Sequence, residues 1–310
     1  MKELASTPSP RPTPSLAAYK QPEVEWPRGC DGEPLALRVW KGKRGQPAVL
    51  YLHGIEGHGE WFAHTASALN EHGLSIYVPD RRGAGLNTPA RGHLNSYRDY
   101  LADVELLLRR LGEQHKNEDI ILFGNCWGAK AAALLAAKGY KTTDGKALPA
   151  LSGLLLTCPA LFTRVDLKLK DKVRIATDVL SGQDAQLREF EIPIAPEMFT
   201  ANRKYLNYIE SDPLRLKAAT SRFYFENFLL SWKAVLAAGS ISLPLLLILA
   251  QSDRIVNVER VRRWYQRVPA GQKSLHVFEQ ALHSLDFEPL LFEEYVAVML
   301  DWIVNLAVPR

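Results

Sequence analysis

The sequence predicts an α/β fold: a doubly wound, mostly parallel sheet with an inserted helical cap. Two observations support this prediction. Short apolar segments of strand length alternate with helical patterns along most of the chain, an order that is typical of parallel sheets. The alternation stops between about residues 160 and 239, where helices and loops are predicted instead. We therefore expect a core of residues 24–159 and 240–310 and a cap of residues 160–239.

Residues 1–23 are predicted to form a disordered, proline-rich arm. Every second residue from Pro8 to Pro14 is proline, and the neighbours are mostly small or polar, so this segment would bury little apolar surface. Residues 1–20 also lack the apolar core of a signal peptide. Ordered structure is expected to begin near Val24.

The composition excludes several classes of protein. Hydrophobic residues make up 47% of the 310 residues, which supports a large core, and a net charge of +4 does not imply a nucleic-acid partner. No apolar segment is long enough to span a bilayer. Cys30, Cys126 and Cys158 have neither the spacing of a disulfide framework nor that of a metal site. We expect a cytoplasmic protein and leave its oligomeric state open.

Seven apolar segments after the arm are predicted to be strands of the sheet. Ala48–Leu52 is apolar throughout, as expected for a strand with both faces covered, whereas Leu35–Trp40 alternates and is predicted to lie near an edge. In chain order the predicted strands are Leu35–Trp40, Ala48–Leu52, Leu74–Val78, Ile120–Phe123, Leu151–Thr157, Leu243–Ala250 and Ser274–Phe278.

Helices are predicted between these strands. The helix after Ser96 has the clearest start, because Ser96 and Asp99 form a variant of the capping box before a one-sided apolar pattern. The cap is predicted to contain helices and the loop Ile192–Thr200, and no strand. The other predicted helices are 61–69, Gly128–Ala137, Val258–Val268 and Phe292–Val308 in the core, and Asp166–Leu180 and Ser221–Leu236 in the cap.

A Gly-x-Cys-x-Gly pentapeptide, Gly124 to Gly128, joins a predicted strand to a predicted helix. It has the form of a nucleophile elbow with cysteine in the usual place of serine. The central residue of such an elbow takes backbone angles that ordinary residues avoid, and the flanking glycines let strand and helix approach closely. Cys126 is therefore the candidate nucleophile. The alternative is a small buried residue at a tight turn.

Two further residues follow strands at the same predicted edge of the sheet. Asp253 comes three residues after one apolar strand, and His283 follows the last strand in a short loop. Loops at the carboxyl ends of parallel strands converge, so Cys126, Asp253 and His283 are expected to meet there. The order nucleophile, acid, histidine is the one expected for a nucleophile elbow. Asp286 is the fallback acid. Taken singly, Asp253 and His283 could be ordinary loop residues.

With these residues in place, Trp26–Arg310 resembles the α/β-hydrolase superfamily, and most of all its monoacylglycerol lipase and lysophospholipase branch. Two features depart from that branch, namely the cysteine at position 126 and the order Glu56-Gly57-His58 in place of Gly-Glu-His. The stretches that carry the resemblance are His53-Gly54 with Gly57-His58 and Trp61-Phe62, the loop Asp80–Gly85, and Ser211–Leu214 in the predicted cap.

The resemblance implies a function and a role for each candidate residue. Cys126 would be the nucleophile, Asp253 the acid and His283 the base, with the backbone N–H groups of Ile55 and Trp127 as the oxyanion hole. It implies hydrolysis of a carboxylic ester or thioester with an apolar acyl group, through a thioester acyl-enzyme and without a metal or organic cofactor. The alternatives are an acyltransferase or cyclase with the same intermediate, and a non-catalytic binding protein on this scaffold.

The predicted cap supplies candidate residues for a small-molecule acyl substrate. Phe225, Phe228 and Trp232 lie in one apolar helix and are candidates for the substrate pocket, although packing of the cap on the core is the favoured role for most of the aromatic residues of this helix.

Charged residues near the candidate site have structural explanations. Lys168, Lys170 and Lys172 are predicted to be a solvated face, and contact with a membrane surface is the less favoured alternative. Arg81 and Arg82 are expected to form structural salt bridges.

Overall fold

A computed structural model describes residues 19–306, and its largest element is an eight-stranded sheet with helices on both sides. The strands of this sheet are β1 (Glu23–Glu25), β2 (Leu37–Trp40), β3 (Ala48–Leu52), β4 (Ser75–Pro79), β5 (Ile120–Asn125), β6 (Gly153–Thr157), β9 (Leu245–Ala250) and β10 (Lys273–Phe278). A separate two-stranded ribbon consists of β7 (Glu189–Glu191) and β8 (Ala218–Thr220).

Nine α-helices lie within the described residues. They are α1 (Ala63–Glu71), α2 (Tyr97–Gln114), α3 (Gly128–Leu135), α4 (Leu169–Leu180), α5 (Gln183–Gln186), α6 (Arg203–Ser211), α7 (Ser221–Leu236), α8 (Val258–Gln266) and α9 (Phe292–Val304). Short 3-10 helices lie at Gly59–Phe62, Pro196–Met198, Ala237–Ser240 and Leu285–Phe287. None of the helices in residues 19–306 has the length and apolar character needed to cross a membrane.

The sheet confirms the predicted parallel architecture. Its order is β1-β2-β4-β3-β5-β6-β9-β10, with β2 antiparallel to both of its neighbours and every pair from β4 to β10 parallel. Strands β3, β5, β6 and β9 are buried along their whole length, which explains why their sequences are apolar runs without alternation. The carboxyl ends of these four strands therefore meet at one edge of the sheet.

The structure sets the limits of several predicted elements. Strand β3 and helix α7 match their predicted bounds, whereas the last helix ends at Val304 instead of Val308. Residues 307–310 and most of the predicted arm, residues 1–18, lie outside the described residues. The end of the arm contacts the core, because Lys20 Nζ donates to Asn70 Oδ1 at 3.0 Å and Trp40 Nε1 donates to the Lys20 carbonyl at 2.6 Å.

The segment between β6 and β9 contains α4 to α7, as the helical patterns predict, but it also contains the β7–β8 ribbon. The prediction that this segment has no strand was wrong. Each of these strands is three residues long, which is too short for the alternation that identifies a strand in a sequence. In α4 the apolar side chains of Leu169, Val173 and Leu180 face solvent, whereas Ile175 is buried.

Strand β5 and helix α3 approach so closely that only small residues fit between them. A Cβ atom added at Gly124 would lie 2.5 Å from the Ala129 Cα and 2.8 Å from the Ala132 Cβ. The run Ala131–Ala133 is fully buried against the sheet. This contact places the first turn of α3 directly after the carboxyl end of β5.

The β5–α3 contact predicts a large cost for one added methyl group. Gly124→Ala should lower the free energy of unfolding by about 1–3 kcal/mol, because backbone and side-chain atoms of α3 would have to move. Urea and thermal denaturation would measure this loss. Gly239→Ala is the matched control, since a Cβ there meets nothing within 4 Å, and its effect should stay within about 0.5 kcal/mol. Equal stability of the two variants would contradict the close packing.

Candidate active site

Cys126 occupies a strained turn between β5 and α3. Its φ is +48°, and within residues 19–306 only two other non-glycine residues, Ala90 and Cys158, have positive φ. The turn is anchored to the next strand segment, because the Cys126 N–H donates to the Thr157 carbonyl at 3.0 Å and the Cys126 carbonyl accepts from the Ala160 N–H at 2.9 Å. Backbone strain of this kind persists only where the surroundings hold it in place.

The second glycine of the pentapeptide permits the close approach of α3 to the neighbouring strand. A Cβ at Gly128 would lie 2.3 Å from the Leu52 carbonyl oxygen and 2.7 Å from that of His53. Both glycines therefore act as the elbow motif predicts, one against the helix and one against the strand end. The thiol of Cys126 is 3% exposed and lies beside the first turn of α3.

His283 and Asp253 form a buried hydrogen-bonded pair. The distance from His283 Nδ1 to Asp253 Oδ2 is 2.7 Å, and both side chains are almost fully buried. The other carboxylate oxygen accepts from the N–H groups of Ile255 at 2.7 Å and Val256 at 2.8 Å. Asp253 is thus held by two amides of its own loop, and it fixes the orientation of the imidazole.

The surroundings of His283 favour its protonated form. Burial by itself lowers the pKa of the imidazole, but the Asp253 carboxylate and the charge of Cys126 outweigh burial, and the pKa is raised well above its ordinary value. The buried Nε2 atom has no hydrogen-bond partner of normal geometry in the described residues. The nearby Cys126 thiol is therefore the side chain with which Nε2 interacts, and catalytic hydrogen bonds of this kind are often long before substrate binds.

Two backbone amides at the candidate nucleophile are free to donate. Neither the Ile55 N–H nor the Trp127 N–H forms a hydrogen bond with another described residue. Both residues line the same cavity as Cys126. A Cβ at Gly54 would lie 3.5 Å from the Cys126 Sγ, which shows how near the Ile55 loop comes to the thiol. The amides have the chemistry that an oxyanion hole requires.

His53 and Arg81 hold the loop that contains Ile55. The Arg81 N–H donates to His53 Nε2 at 2.8 Å, so the proton of the imidazole is on Nδ1, which donates to the Gly54 carbonyl at 2.7 Å. Burial lowers the pKa of His53 to about 3, which keeps the ring neutral. The Arg81 guanidinium donates to the Ile55 carbonyl at 3.1 Å and lies 4.9 Å from the centre of the Trp127 ring.

The two arginines of this region differ in role. Arg82 forms the expected salt bridges, with Asp103 at 2.6 Å and Asp31 at 2.8 Å. For Arg81 the expectation was wrong, because none of the ion pairs found among residues 19–306 includes it. Its guanidinium instead contacts aromatic rings and backbone carbonyls, which stabilise a cation without an acidic partner, while its Nε has no partner in the described residues.

The fallback acid, Asp286, is not the residue that contacts His283 Nδ1. Its Oδ1 accepts a hydrogen bond from the Thr65 hydroxyl, and its Oδ2 has no partner in the described part of the chain. Burial raises the pKa of Asp286 to about 7. Asp253 therefore has the position that the imidazole orientation requires, and Asp286 lies behind it in the core.

Cys158 is a neighbour of the candidate triad that the sequence analysis missed. Its thiol, one oxygen of Asp253 and one nitrogen of His283 lie within 4.8 Å of one another, which is compact enough to consider a metal ion. Both Asp253 oxygens already accept hydrogen bonds, however, and burial raises the pKa of Cys158 well above its ordinary value. The arrangement therefore suits a packed neighbour of the triad. Its position directly after β6, at the same sheet edge, was the signal in the sequence.

A cavity of about 600 Å³ opens beside Cys126 and extends beneath the segment between β6 and β9. Phe225 and Phe228 of α7 line it, as expected. Trp232, the third aromatic candidate, does not line this cavity. Its side chain is 55% exposed and borders a separate surface depression, because it lies further along α7, near the C-terminal end of the helix. The other apolar residues of the wall include Leu161, Ile175, Ile192, Ile194 and Ile255.

Buried polar contacts attach the segment between β6 and β9 to the Ile55 loop. Asp212 Oδ2 accepts from His58 Nε2 at 2.9 Å and from Trp61 Nε1 at 2.7 Å. Burial alone raises the pKa of Asp212, but these two donors hold the pKa below its ordinary value. Arg215 Nε donates to Glu56 Oε2 at 2.7 Å. The stretches His53–Phe62 and Ser211–Leu214, which the sequence analysis compared separately with one branch, are therefore in direct contact.

Comparison with known proteins follows this geometry. The family model Hydrolase_4, described as Serine aminopeptidase, S33, matches residues 44–290, which is most of the chain. An uncharacterized abhydrolase domain-containing protein of Dictyostelium discoideum is 24% identical over 278 residues, covering 88% of this chain and 28% of that protein. The chain thus spans less than a third of the length of this relative.

Two further similarities concern monoglyceride lipases. The monoglyceride lipase of Rattus norvegicus is 22% identical over 288 residues, covering 90% of this chain and 89% of that enzyme. The crystal structure of a soluble variant of monoglyceride lipase from Saccharomyces cerevisiae, in complex with a substrate analog, has a TM-score of 0.80 at 17% identity. The matched region covers 96% of this chain and 100% of the yeast enzyme's chain. This similarity supports the fold.

The buried His283–Asp253 pair predicts a measurable protonation state. Because the pKa of His283 is raised, its positive form should persist at pH 7, and the ion pair should contribute stability at low pH that is lost as the pH rises through the raised pKa. In Asp253→Asn the burial that lowers the pKa of His283 remains, but the carboxylate that raises it is gone. The His283 ring should therefore be neutral at pH 7 in this variant. Proton–nitrogen correlation spectra of the imidazoles would show this difference. His53, neutral in both proteins, is the internal control, and a neutral His283 in the wild type would refute the prediction.

Proposed function

Since this chain belongs to the Hydrolase_4 family, described as Serine aminopeptidase, S33, we propose that it hydrolyses a carboxylic ester or thioester with Cys126 as nucleophile. One observation carries the proposal. The strained Cys126 and two unpaired amides lie in the wall of a largely apolar cavity, and the buried His283–Asp253 pair lies beside the Cys126 thiol. Acyl transfer to a nucleophile needs these groups and no others from the protein.

In the proposed reaction the proton of Cys126 is held on His283 Nε2, and Cys126 Sγ attacks the carbonyl carbon as a thiolate. Asp253 keeps Nδ1 protonated and stabilises the imidazolium. The N–H groups of Ile55 and Trp127 donate to the developing oxyanion, a contribution typically worth about 3–4 kcal/mol for each donor. Collapse of the tetrahedral intermediate breaks the bond to the leaving group, which takes the proton from Nε2.

The resulting acyl group is bound to Cys126 as a thioester. A water molecule then gives a proton to Nε2 of His283 and attacks the thioester carbonyl, supported by the same two amides. The thiolate leaves, the proton from water stays on Nε2 of His283, and the carboxylic acid is released. Each proton thus returns through His283, so the cycle requires no metal or organic cofactor.

The cavity supports an apolar acyl group as the part of the substrate that the protein encloses. Its wall includes Phe225, Phe228 and several aliphatic residues, and a volume of about 600 Å³ is within the range of small-molecule sites. In this proposal residues 160–239 form a cap that encloses the acyl group. The name of the rat relative, monoglyceride lipase, is consistent with a substrate ester that has a lipid-like acyl chain. The cytoplasmic location stays a prediction.

The proposal predicts a covalent intermediate on one residue. With p-nitrophenyl butyrate, the wild type should release p-nitrophenol and carry one butyryl group on Cys126, detected by intact mass and peptide mapping. Cys126→Ala should lose at least about a thousandfold in kcat/KM and carry no adduct, because the nucleophile is gone. Cys30→Ala removes an exposed thiol as the control and should turn over like the wild type. Undiminished turnover by Cys126→Ala would overturn the proposal.

A separate assay with added hydroxylamine tests the alternative of acyl transfer, because formation of the hydroxamate would report transfer of the acyl group to an acceptor other than water.

A further inference from the structure

A buried lysine lies in the wall of the cavity. Lys130, in the first turn of α3, is 4% exposed and lines the cavity together with Cys126. Its Nζ donates to Asn227 Oδ1 of α7 at 2.6 Å and lies 6.0 Å from the centre of the Trp127 ring. A lysine in this position is unusual, because charged side chains are rarely this buried without an opposite charge.

No carboxylate neutralises Lys130 within residues 19–306. The lysines and arginines that form ion pairs in this part of the chain do not include it. Lys172, at another point of the same wall, pairs with Asp166. Burial lowers the pKa of Lys130 to about 8, and the charge of Cys126 opposes this effect only in part. The ammonium is therefore a buried cation with one neutral acceptor.

Asn227 presents a further donor beside this ammonium. Its Oδ1 accepts from both Lys130 Nζ and Trp127 Nε1, the latter at 2.8 Å. Both partners can only donate, so they fix the orientation of the amide and leave Nδ2 on its other side. Nδ2 donates to none of the residues 19–306. Two N–H groups of Lys130 and the Nδ2 group of Asn227 thus lack acceptors in the protein.

Three unpaired donors and a positive charge form a site for an anion with two acceptor oxygens. Burial of an incompletely paired charge such as Lys130 costs free energy, and an ionised carboxylate would accept charge-assisted hydrogen bonds from Lys130 and from the half-buried Asn227. The remaining wall is mostly apolar, so the site is confined to one point of the cavity. A few placed polar groups in an apolar pocket are what determine the specificity of small-molecule sites.

We propose that Lys130 and Asn227 bind a carboxylate carried by the acyl group, so that the preferred substrate is a half-ester or half-thioester of a dicarboxylic acid. This inference rests on the proposed hydrolase function and names its substrate class. The ester carbonyl would lie at Cys126 and the second carboxylate at Lys130, with the intervening methylene groups against the apolar wall.

The first test compares two esters with acyl chains of five carbons, mono-p-nitrophenyl glutarate and p-nitrophenyl pentanoate. The wild type should have a kcat/KM at least tenfold higher for the glutarate ester. In Lys130→Met the ratio of the two values should fall about 10- to 100-fold, the range expected for loss of a charged hydrogen bond. Lys138→Met removes an exposed lysine beyond the end of α3 as the control, and its ratio should equal that of the wild type.

The same comparison separates recognition from activation of the thiol. If Lys130 served only to stabilise the Cys126 thiolate, both esters would slow equally in Lys130→Met and the ratio would not change, which would overturn the proposal. Lys130→Gln provides a second variant of similar side-chain length in case the methionine variant fails to fold. Thermal denaturation of each variant establishes that the folded protein is being assayed.

The pH dependence of the ratio tests the charge of the lysine. Because the pKa of Lys130 is lowered to about 8, the wild-type preference for glutarate should be largest below pH 8 and decline above it, and in Lys130→Met the ratio should be independent of pH. The Cys126 and His283 groups act on both esters and cancel in the ratio. The other ionisable groups of the wall are the paired Lys172 and Asp166, and Tyr224, whose pKa burial raises above its ordinary value.

Binding without turnover distinguishes failure of this proposal from failure of the hydrolase function. Calorimetry should show that glutarate binds to the Cys126→Ala variant. Its affinity should be at least tenfold lower for the double variant that combines Cys126→Ala with Lys130→Met. Glutarate binding of this kind by a protein that hydrolyses no ester would refute the hydrolase function and keep the carboxylate site. Efficient hydrolysis of the pentanoate ester with no glutarate preference and no glutarate binding would refute the carboxylate site alone.

Discussion

The strained turn at Cys126 is the constraint on which the rest of this structure depends. A residue with φ of +48° persists there because β5 and α3 pack in direct backbone contact at Gly124, and α3 meets the end of β3 at Gly128. The same contact puts the thiol next to the Trp127 N–H and the Gly54–Ile55 backbone. A larger residue at either glycine would move α3 outward and separate the thiol from the two amides.

A second constraint couples the segment between β6 and β9 to the loop that supplies one of those amides. His58 and Trp61 both donate to Asp212, and Glu56 pairs with Arg215, so the loop after β3 and the segment after α6 are fixed to each other by buried charges. Breaking such a pair leaves an uncompensated charge in the core, which is strongly destabilising. These contacts therefore fix the position of the Ile55 loop relative to the segment between β6 and β9, part of which lines the cavity.

The buried polar groups near the cavity differ in how completely the protein satisfies them. Asp253 has three donors. Arg81 lacks an acid, and its Nε has no partner among residues 19–306, but carbonyl acceptors and two aromatic rings surround its guanidinium. Lys130 has one acceptor and faces open space. A folded protein tolerates such an imbalance mainly where a ligand corrects it. This contrast is the physical basis for assigning specificity to Lys130 and support of the backbone to Arg81.

The sequence by itself determined those features that depend on short stretches of chain. The continuous apolar strands such as β3, the chain order of Asp253 and His283, and the glycines around Cys126 are local patterns, and they predicted the parallel sheet and the candidate triad. Tertiary structure alone decided whether Asp253 or Asp286 contacts His283, that the cavity ends before Trp232, and that Lys130 lies in the cavity wall. The physical reason is that the direction of a side chain on a helix or loop depends on packing against segments distant in sequence, which no local pattern records.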